Sequence, residues 1–127
     1  FVTRAAVRLL KGRKGAVVVN VSSVAGISGF GSSIAYCASK GALNTMTKSL
    51  ARALAPEIRV NAVCPGPIDS RWLRLDMSEE EIAERVVSFP IPRLSLPEDI
   101  ADTVTYLAVG TTMTTGQILV VDGGRTM

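Results

Sequence analysis

Apolar positions change their period several times along this chain, and each change marks an element. Val2, Ala5, Ala6, Leu9 and Leu10 recur at helical spacing between Phe1 and Lys11, and Gly12 closes that helix. No capping residue precedes the pattern, which suggests a chain that starts in mid-element. Ala16 to Val21 is an almost unbroken apolar run, as expected of a parallel strand covered on both faces. Val24 to Ser33, rich in Gly and Ser, reads as a loop whose small side chains leave room above the strand. The longest helix is expected from Ala35 to Leu54. Its apolar side would carry Ala38, Ala42, Leu43, Met46, Leu50, Ala53 and Leu54, and Pro56 would end it.

Arg59 to Val63 follows as a second strand that stops at Pro65-Gly66. From Pro67 to Arg93 the pattern loosens, with Trp72, Leu73, Leu75 and Met77 ahead of a charged helix over Ser78 to Val87. Ser78 and Glu81 have the spacing of a capping box for that helix. Pro97 suits the first turn of the next helix, with Glu98 and Asp99 at its positive end. Gln117 to Val121 is the third strand, and Asp122-Gly123-Gly124 turns the chain away. Strands alternating with helices imply a parallel sheet of α/β type in one domain, residues 1 to 127, with three strands visible.

Composition narrows the chemistry more than the fold. The chain has no histidine, which excludes Ser-His-Asp triads, Cys-His pairs and histidine-ligated metal sites built from this chain alone. No metal site is expected. Cys37 and Cys64 lack a C-x-x-C spacing and read as buried free thiols. The net charge of +3, from 14 basic and 11 acidic residues, is too mild to argue for nucleic acid. Arg4, Arg8, Lys11, Arg13 and Lys14 form a basic cluster without interleaved aromatics, so it reads as a solvated helix end and loop. No apolar run approaches membrane-spanning length and no signal-peptide pattern opens the chain, so a cytoplasmic protein with no membrane partner is expected.

Ser23, Tyr36 and Lys40 form the candidate site. Tyr36 and Lys40 are four residues apart on a helix and so share a face, where the ammonium can favour the ionised phenol. Ser23, at the end of the first strand, could hydrogen-bond the same substrate oxygen. Gly26, Gly29 and Gly31 have the reverse of the G-x-G-x-x-G spacing and are not read as a phosphate site.

Five stretches occur in an order that resembles the short-chain dehydrogenase/reductase family. They are Val19-Asn20-Val21-Ser22-Ser23, Tyr36-Cys37-Ala38-Ser39-Lys40, Val60-Asn61-Ala62-Val63-Cys64-Pro65-Gly66, Pro97-Glu98-Asp99-Ile100-Ala101, and Thr115-Gly116-Gln117 with Val121-Asp122-Gly123-Gly124. The resemblance implies the carboxy-terminal half of a Rossmann-like doubly wound sheet. The glycine-rich dinucleotide loop and the asparagine of the catalytic tetrad would lie upstream of Phe1. Asn20 and Asn61 are read as structural instead. On this basis the chain alone is expected neither to bind cofactor usefully nor to be a stable monomer.

The same resemblance implies NAD or NADP as cofactor and a small-molecule carbonyl or alcohol as substrate, possible 3-oxoacyl-carrier substrates included. It makes Tyr36 the general acid or base, Lys40 its activator and ribose ligand, and Ser23 the residue that orients the carbonyl. Pro65, Gly66, Ile68 and Ser70 are implied cofactor contacts. Trp72 and Leu73, with Met77 and Phe89, are expected to line a substrate lid over about 70 to 93, where Arg71 and Arg74 could meet an acidic carrier or phosphate. A homo-oligomer, dimer or tetramer, is implied, with the first helix, the long helix and the last strand as interfaces. The competing reading is a non-catalytic binding or scaffolding protein of the same fold.

Overall fold

The computed structural model describes residues 2–127; the expected helix start at Phe1 lies outside the described residues. Three parallel strands make one sheet: β1 (Val17–Val21), β2 (Arg59–Pro65) and β3 (Ile118–Val121), in the order β1-β2-β3. Val17 pairs with Arg59 and Val21 with Val63, while Ala62 pairs with Ile118 and Pro65 with Val121. β2 runs two residues beyond the expected Val63, because Cys64 and Pro65 still lie in the ladder with β3. Pro65 lacks an N–H, yet its carbonyl serves the sheet end by accepting from Val24.

Helices cover both faces of the sheet, and strand alternation decides which residue meets which. Val18 and Val60 face a cluster with Ala16, Ala51 and Ile58, closed by Val7 and Leu10 of α1 (Val2–Leu10) and by Leu50 and Leu54 of α3 (Ile34–Leu54). Val19 and Val63 point the other way, to Ile100 and Val104 of α6 (Pro97–Thr105) and to Leu107 in the π turn Tyr106–Gly110 that continues it. Central β2 is buried over Val60–Pro65, whereas edge strand β1 is only half-buried, short of the coverage that its apolar run predicts. Among the described residues, no strand pairs with the outer edge of β1.

The long helix departs most from expectation. Ser33, not a residue after it, starts α3, its hydroxyl accepting from Tyr36 N–H as an N-cap. The expected apolar side of Ala38, Ala42, Met46 and Ala53 is exposed, and Asn44, Thr47 and Ala51 are buried in its place. Those polar groups are satisfied across the layer: Asn20 Nδ2 donates to Thr47 Oγ1 at 2.9 Å, and the Cys64 thiol donates to Asn44 Oδ1 at 3.4 Å. On α1, similarly, Val2 and Leu9 are exposed while Val7 and Leu10 reach the core.

Candidate active site

The end of β1 is tied to the first two turns of α3 by two backbone carbonyls and one glycine. Lys40 Nζ donates to the Val21 carbonyl at 3.0 Å, and the buried Ser22 hydroxyl donates back to the Lys40 carbonyl at 3.2 Å. Between them runs α2 (Ala25–Ser28), a short helix where the sequence suggested only a loop. Pro65 O holds Val24 N–H at the start of α2, and Ser23 O holds Gly26 N–H. A Cβ on Gly26 would sit 2.5 Å from the Lys40 carbonyl carbon and 2.6 Å from Gly41 N, so only glycine lets α2 lie this close to α3.

The other two glycines of the apparent Gly-rich motif also have packing reasons. Gly29 ends α2 at φ 76°, a left-handed cap. Gly31 carries the chain past the Tyr36 ring, and a Cβ there would meet Ala25 Cβ and Cys37 Sγ at 2.8 Å and Tyr36 Cδ1 at 3.1 Å. The Cys37 thiol donates to the Gly29 carbonyl, half-buried rather than fully buried as expected. The motif therefore shapes the floor beside Tyr36, a role that its spacing in the sequence does not announce.

Within this frame the three candidate residues converge on one end of the sheet. Lys40 Nζ lies 5.7 Å from the centroid of the Tyr36 ring, which fulfils the shared helix face. One of its three N–H groups is spent on Val21, leaving two for a ligand. Tyr36 is 37% exposed, and among the described residues its hydroxyl has no hydrogen-bond partner. Ser23 is buried, and its Oγ accepts from Ala25 N–H at 3.1 Å, so the hydroxyl proton stays free to donate. Ala25, bonded to Ser23, is also the residue that Gly31 presses against beside Tyr36.

The second wall is the turn after β2. Ile68 forms an isolated parallel bridge with Ser95, made by Ser95 N–H to Pro67 O and Asp69 N–H to Ser95 O. A bridge of this kind leaves the bridging residue's own N–H and C=O pointing away from its partner, and among the described residues neither has a hydrogen-bond partner at Ile68. An adjacent donor and acceptor match a primary carboxamide. The Ile68 side chain itself packs on Val63, Ile100 and Leu107. A Cβ on Gly66 would stand 2.7 Å from Asp122 Cβ, so packing against the residue that follows β3 requires glycine there. Asp122 in turn accepts from Gly124 N–H, Thr126 N–H and Thr126 Oγ1, which holds the chain end of β3 against the turn.

Along 70 to 93 the expected lid residues separate. Ser70 Oγ accepts from the N–H of Leu73, the first residue of α4 (Leu73–Asp76). Trp72 is 67% exposed, Leu73 and Met77 are half-buried, and Phe89 is buried. The Ser78 and Glu81 capping box forms at the start of α5 (Glu79–Val86) as its spacing predicts. Arg74 is held by Asp69 and Glu79, so its guanidinium is already engaged by carboxylates, and Asp69 is held below its ordinary pKa by that contact. Arg71 remains exposed. Farther on, Arg93 pairs with Asp99 at 2.6 Å; that bond and the Leu96 N–H push the Asp99 carboxyl down to about 2.

A family profile described as enoyl-(acyl carrier protein) reductase matches residues 1–126. The short-chain dehydrogenase/reductase homologue YusR of Bacillus subtilis is 42% identical over 127 residues, covering 100% of this chain and 96% of its own length. This chain belongs to the short-chain dehydrogenase/reductase family. It is also 47% identical over 108 residues to the putative ketoacyl reductase 2 of granaticin polyketide synthase from Streptomyces violaceoruber, covering 84% of this chain and 43% of that one. A crystal structure of a putative short-chain dehydrogenase/reductase from Burkholderia xenovorans superimposes with a TM-score of 0.83 at 45% identity, over 96% of this chain and 48% of that chain. YusR apart, the chain spans about half the length of these relatives. Three parallel strands flanked by helices agree with the α/β sheet of such neighbours, and the family is one of oxidoreductases.

Proposed function

We propose that this chain carries the proton-transfer part of an NAD(P)(H)-dependent interconversion of a carbonyl and an alcohol. The observation that carries the reading is the Lys40 ammonium tied to the Val21 carbonyl beside the Tyr36 ring, with the phenol hydroxyl open. A nicotinamide bound at this end of the sheet would exchange hydride with the substrate carbon. Tyr36 would then protonate the carbonyl oxygen, or accept the alcohol proton in reverse, while Ser23 donates to the same oxygen. Lys40, beside the Tyr36 ring, offers its two remaining N–H groups to ribose hydroxyls. Ile68 would hold the carboxamide through its free N–H and C=O, with Pro65, Gly66 and Ser70 framing that turn.

For the substrate we favour a carbonyl of the 3-oxoacyl kind, a reading supported by the ketoacyl reductase named among the relatives. Trp72 and Leu73 would contact it from the lid segment. Assembly as a homo-oligomer is supported by the exposed apolar residues Met46 on α3 and Leu119 and Val120 on β3. A cytoplasmic setting suits the two free thiols. A scaffolding protein would need no open phenol beside an ammonium, and no observation favours that reading.

Replacing Tyr36 by Phe in the full-length protein removes the proton and keeps the ring. Turnover is expected to drop about a hundredfold or more with the circular dichroism spectrum unchanged. Lys40→Met should weaken both turnover and cofactor affinity. Near-normal turnover of the Tyr36 variant across the pH range would refute the assignment.

A further inference from the structure

Beside the reaction site lies a cleft of about 540 Å³ that the proton-transfer chemistry does not use. Its walls come from three separate segments: Ser28 at the end of α2 with Phe30 beyond it, Arg85 in the last turn of α5 with Phe89 beyond it, and Arg125 in the turn after β3. Phe30 immediately precedes Gly31, where a Cβ would stand 3.1 Å from Tyr36 Cδ1, so one wall of the cleft is a single residue from the chain that packs on the tyrosine.

Two guanidinium groups line this space, those of Arg85 and Arg125, and among the described residues neither is in an ion pair. Arg125 is half-buried, its guanidinium lies 5.7 Å from the centroid of the buried Phe89 ring, and its side chain makes no hydrogen bond among the described residues. Arg85 donates from Nη1 to the Met77 sulfur, a weak acceptor, and is in no ion pair among the described residues. Other arginines of the same region are paired, Arg74 with Asp69 and Glu79 and Arg93 with Asp99. Glu84 also borders the cleft but lies beyond ion-pair distance of both guanidiniums, so the side-chain charge of the lining stays at one positive unit. A half-buried guanidinium loses hydration and regains it best from an oxyanion, for which its planar fork is shaped.

We propose that this cleft receives an oxyanion carried on the far end of the substrate, a carboxylate or phosphate, with Arg125 as its principal ligand and Arg85 as the second. Phe30 and Phe89 enclose the short apolar stretch between that anion and the reacting carbonyl. The inference rests on the proposed carbonyl chemistry and narrows its substrates to anionic carbonyl compounds.

The test uses full-length enzyme and ketones of one chain length that end in a carboxylate, a methyl ester or a methyl group. The carboxylate is expected to have a kcat/KM about tenfold above the ester, mostly through KM. Arg125→Gln should erase that preference and leave the neutral ketone within about twofold, with Arg125→Lys keeping part of it. Equal kcat/KM for acid and ester in the unsubstituted enzyme overturns the inference without reference to any variant. Calorimetry with pentanoate, which has no carbonyl to reduce, reads the cleft independently of turnover. Binding that Arg125→Gln abolishes supports the cleft even if no ketone is reduced, an outcome that would sink the carbonyl chemistry alone. Absence of binding, or inorganic phosphate binding as tightly as pentanoate, overturns the substrate-tail assignment.

Discussion

Gly26→Ala adds one methyl group at the place where α2 crosses α3, and its effect should reach the reacting groups. The new Cβ would stand 2.5 Å from the Lys40 carbonyl carbon, 2.6 Å from Gly41 N and 2.8 Å from the Lys40 carbonyl oxygen. All three are backbone atoms of a helix and cannot turn aside as a side chain could. Restoring an ordinary contact of about 3.4 Å therefore parts the two helices by about 0.9 Å. Overpacking of this size costs about 1–3 kcal/mol of stability. The catalytic cost is of similar size, about 2.7 kcal/mol, because Ser23 precedes α2, Lys40 lies under it, and a misplacement of about 1 Å can lower a rate about a hundredfold. The assay is a thermal melt of the full-length enzyme together with steady-state reduction of a ketone. A lowered Tm and a kcat reduced about a hundredfold are expected, with the fold retained by circular dichroism. Wild-type Tm together with kcat within about threefold of normal would refute the claim that this crossing positions the site.

Two further outcomes follow from ion pairs and caps. The depressed carboxyl of Asp99 contributes stability that is fully present above the ordinary aspartate pKa near 3.9 and lost as pH falls through about 2. Asp99→Asn should therefore flatten the loss of urea resistance between pH 4 and pH 2, and identical profiles for the two proteins would exclude the Arg93 pairing. Arg59 donates to the carbonyls of Leu107, Ala108 and Thr114, the first two within the π turn, so Arg59→Met should cost about 2–4 kcal/mol by urea unfolding. Arg59→Lys should restore only part, since one ammonium cannot span three carbonyls; full restoration would contradict the cap.

Much of this architecture is legible in the chain, for identifiable reasons. The three strands stand out as apolar runs, the α5 cap as Ser78 with Glu81, and the Tyr36 and Lys40 pair as a spacing that only a helix brings together. The buried face of α3 is not legible, because the residues that reach the sheet, Asn44 and Thr47, find partners on Asn20 and Cys64, which are distant in sequence. Apolar counting therefore selects the exposed alanines. Glycine misleads in the same way: Gly66 and Gly26 are small because Asp122 and Lys40 occupy the space, and only the folded chain shows those neighbours. Arg125 carries no motif and follows the last strand, so its place in a cleft with Phe30 and Phe89 emerges from topology alone.

The knot between β1 and α3 is made of main-chain carbonyls at Val21 and Lys40, and this separates what can vary from what cannot. Exchanging Val17, Val18 or Val21 for another branched apolar residue leaves both acceptors in place, so the strand can drift in sequence while the ammonium keeps its post. The cleft walls come from the loop after α2, the end of α5 with the segment after it, and the turn after β3, the last two joined by Ile91 N–H donating to the Gly123 carbonyl. On the proposed reading, a library aimed at new substrates belongs at Phe30, Arg85 and Arg125, where a change is expected to alter substrate preference while the bond from Lys40 to Val21 stays in place.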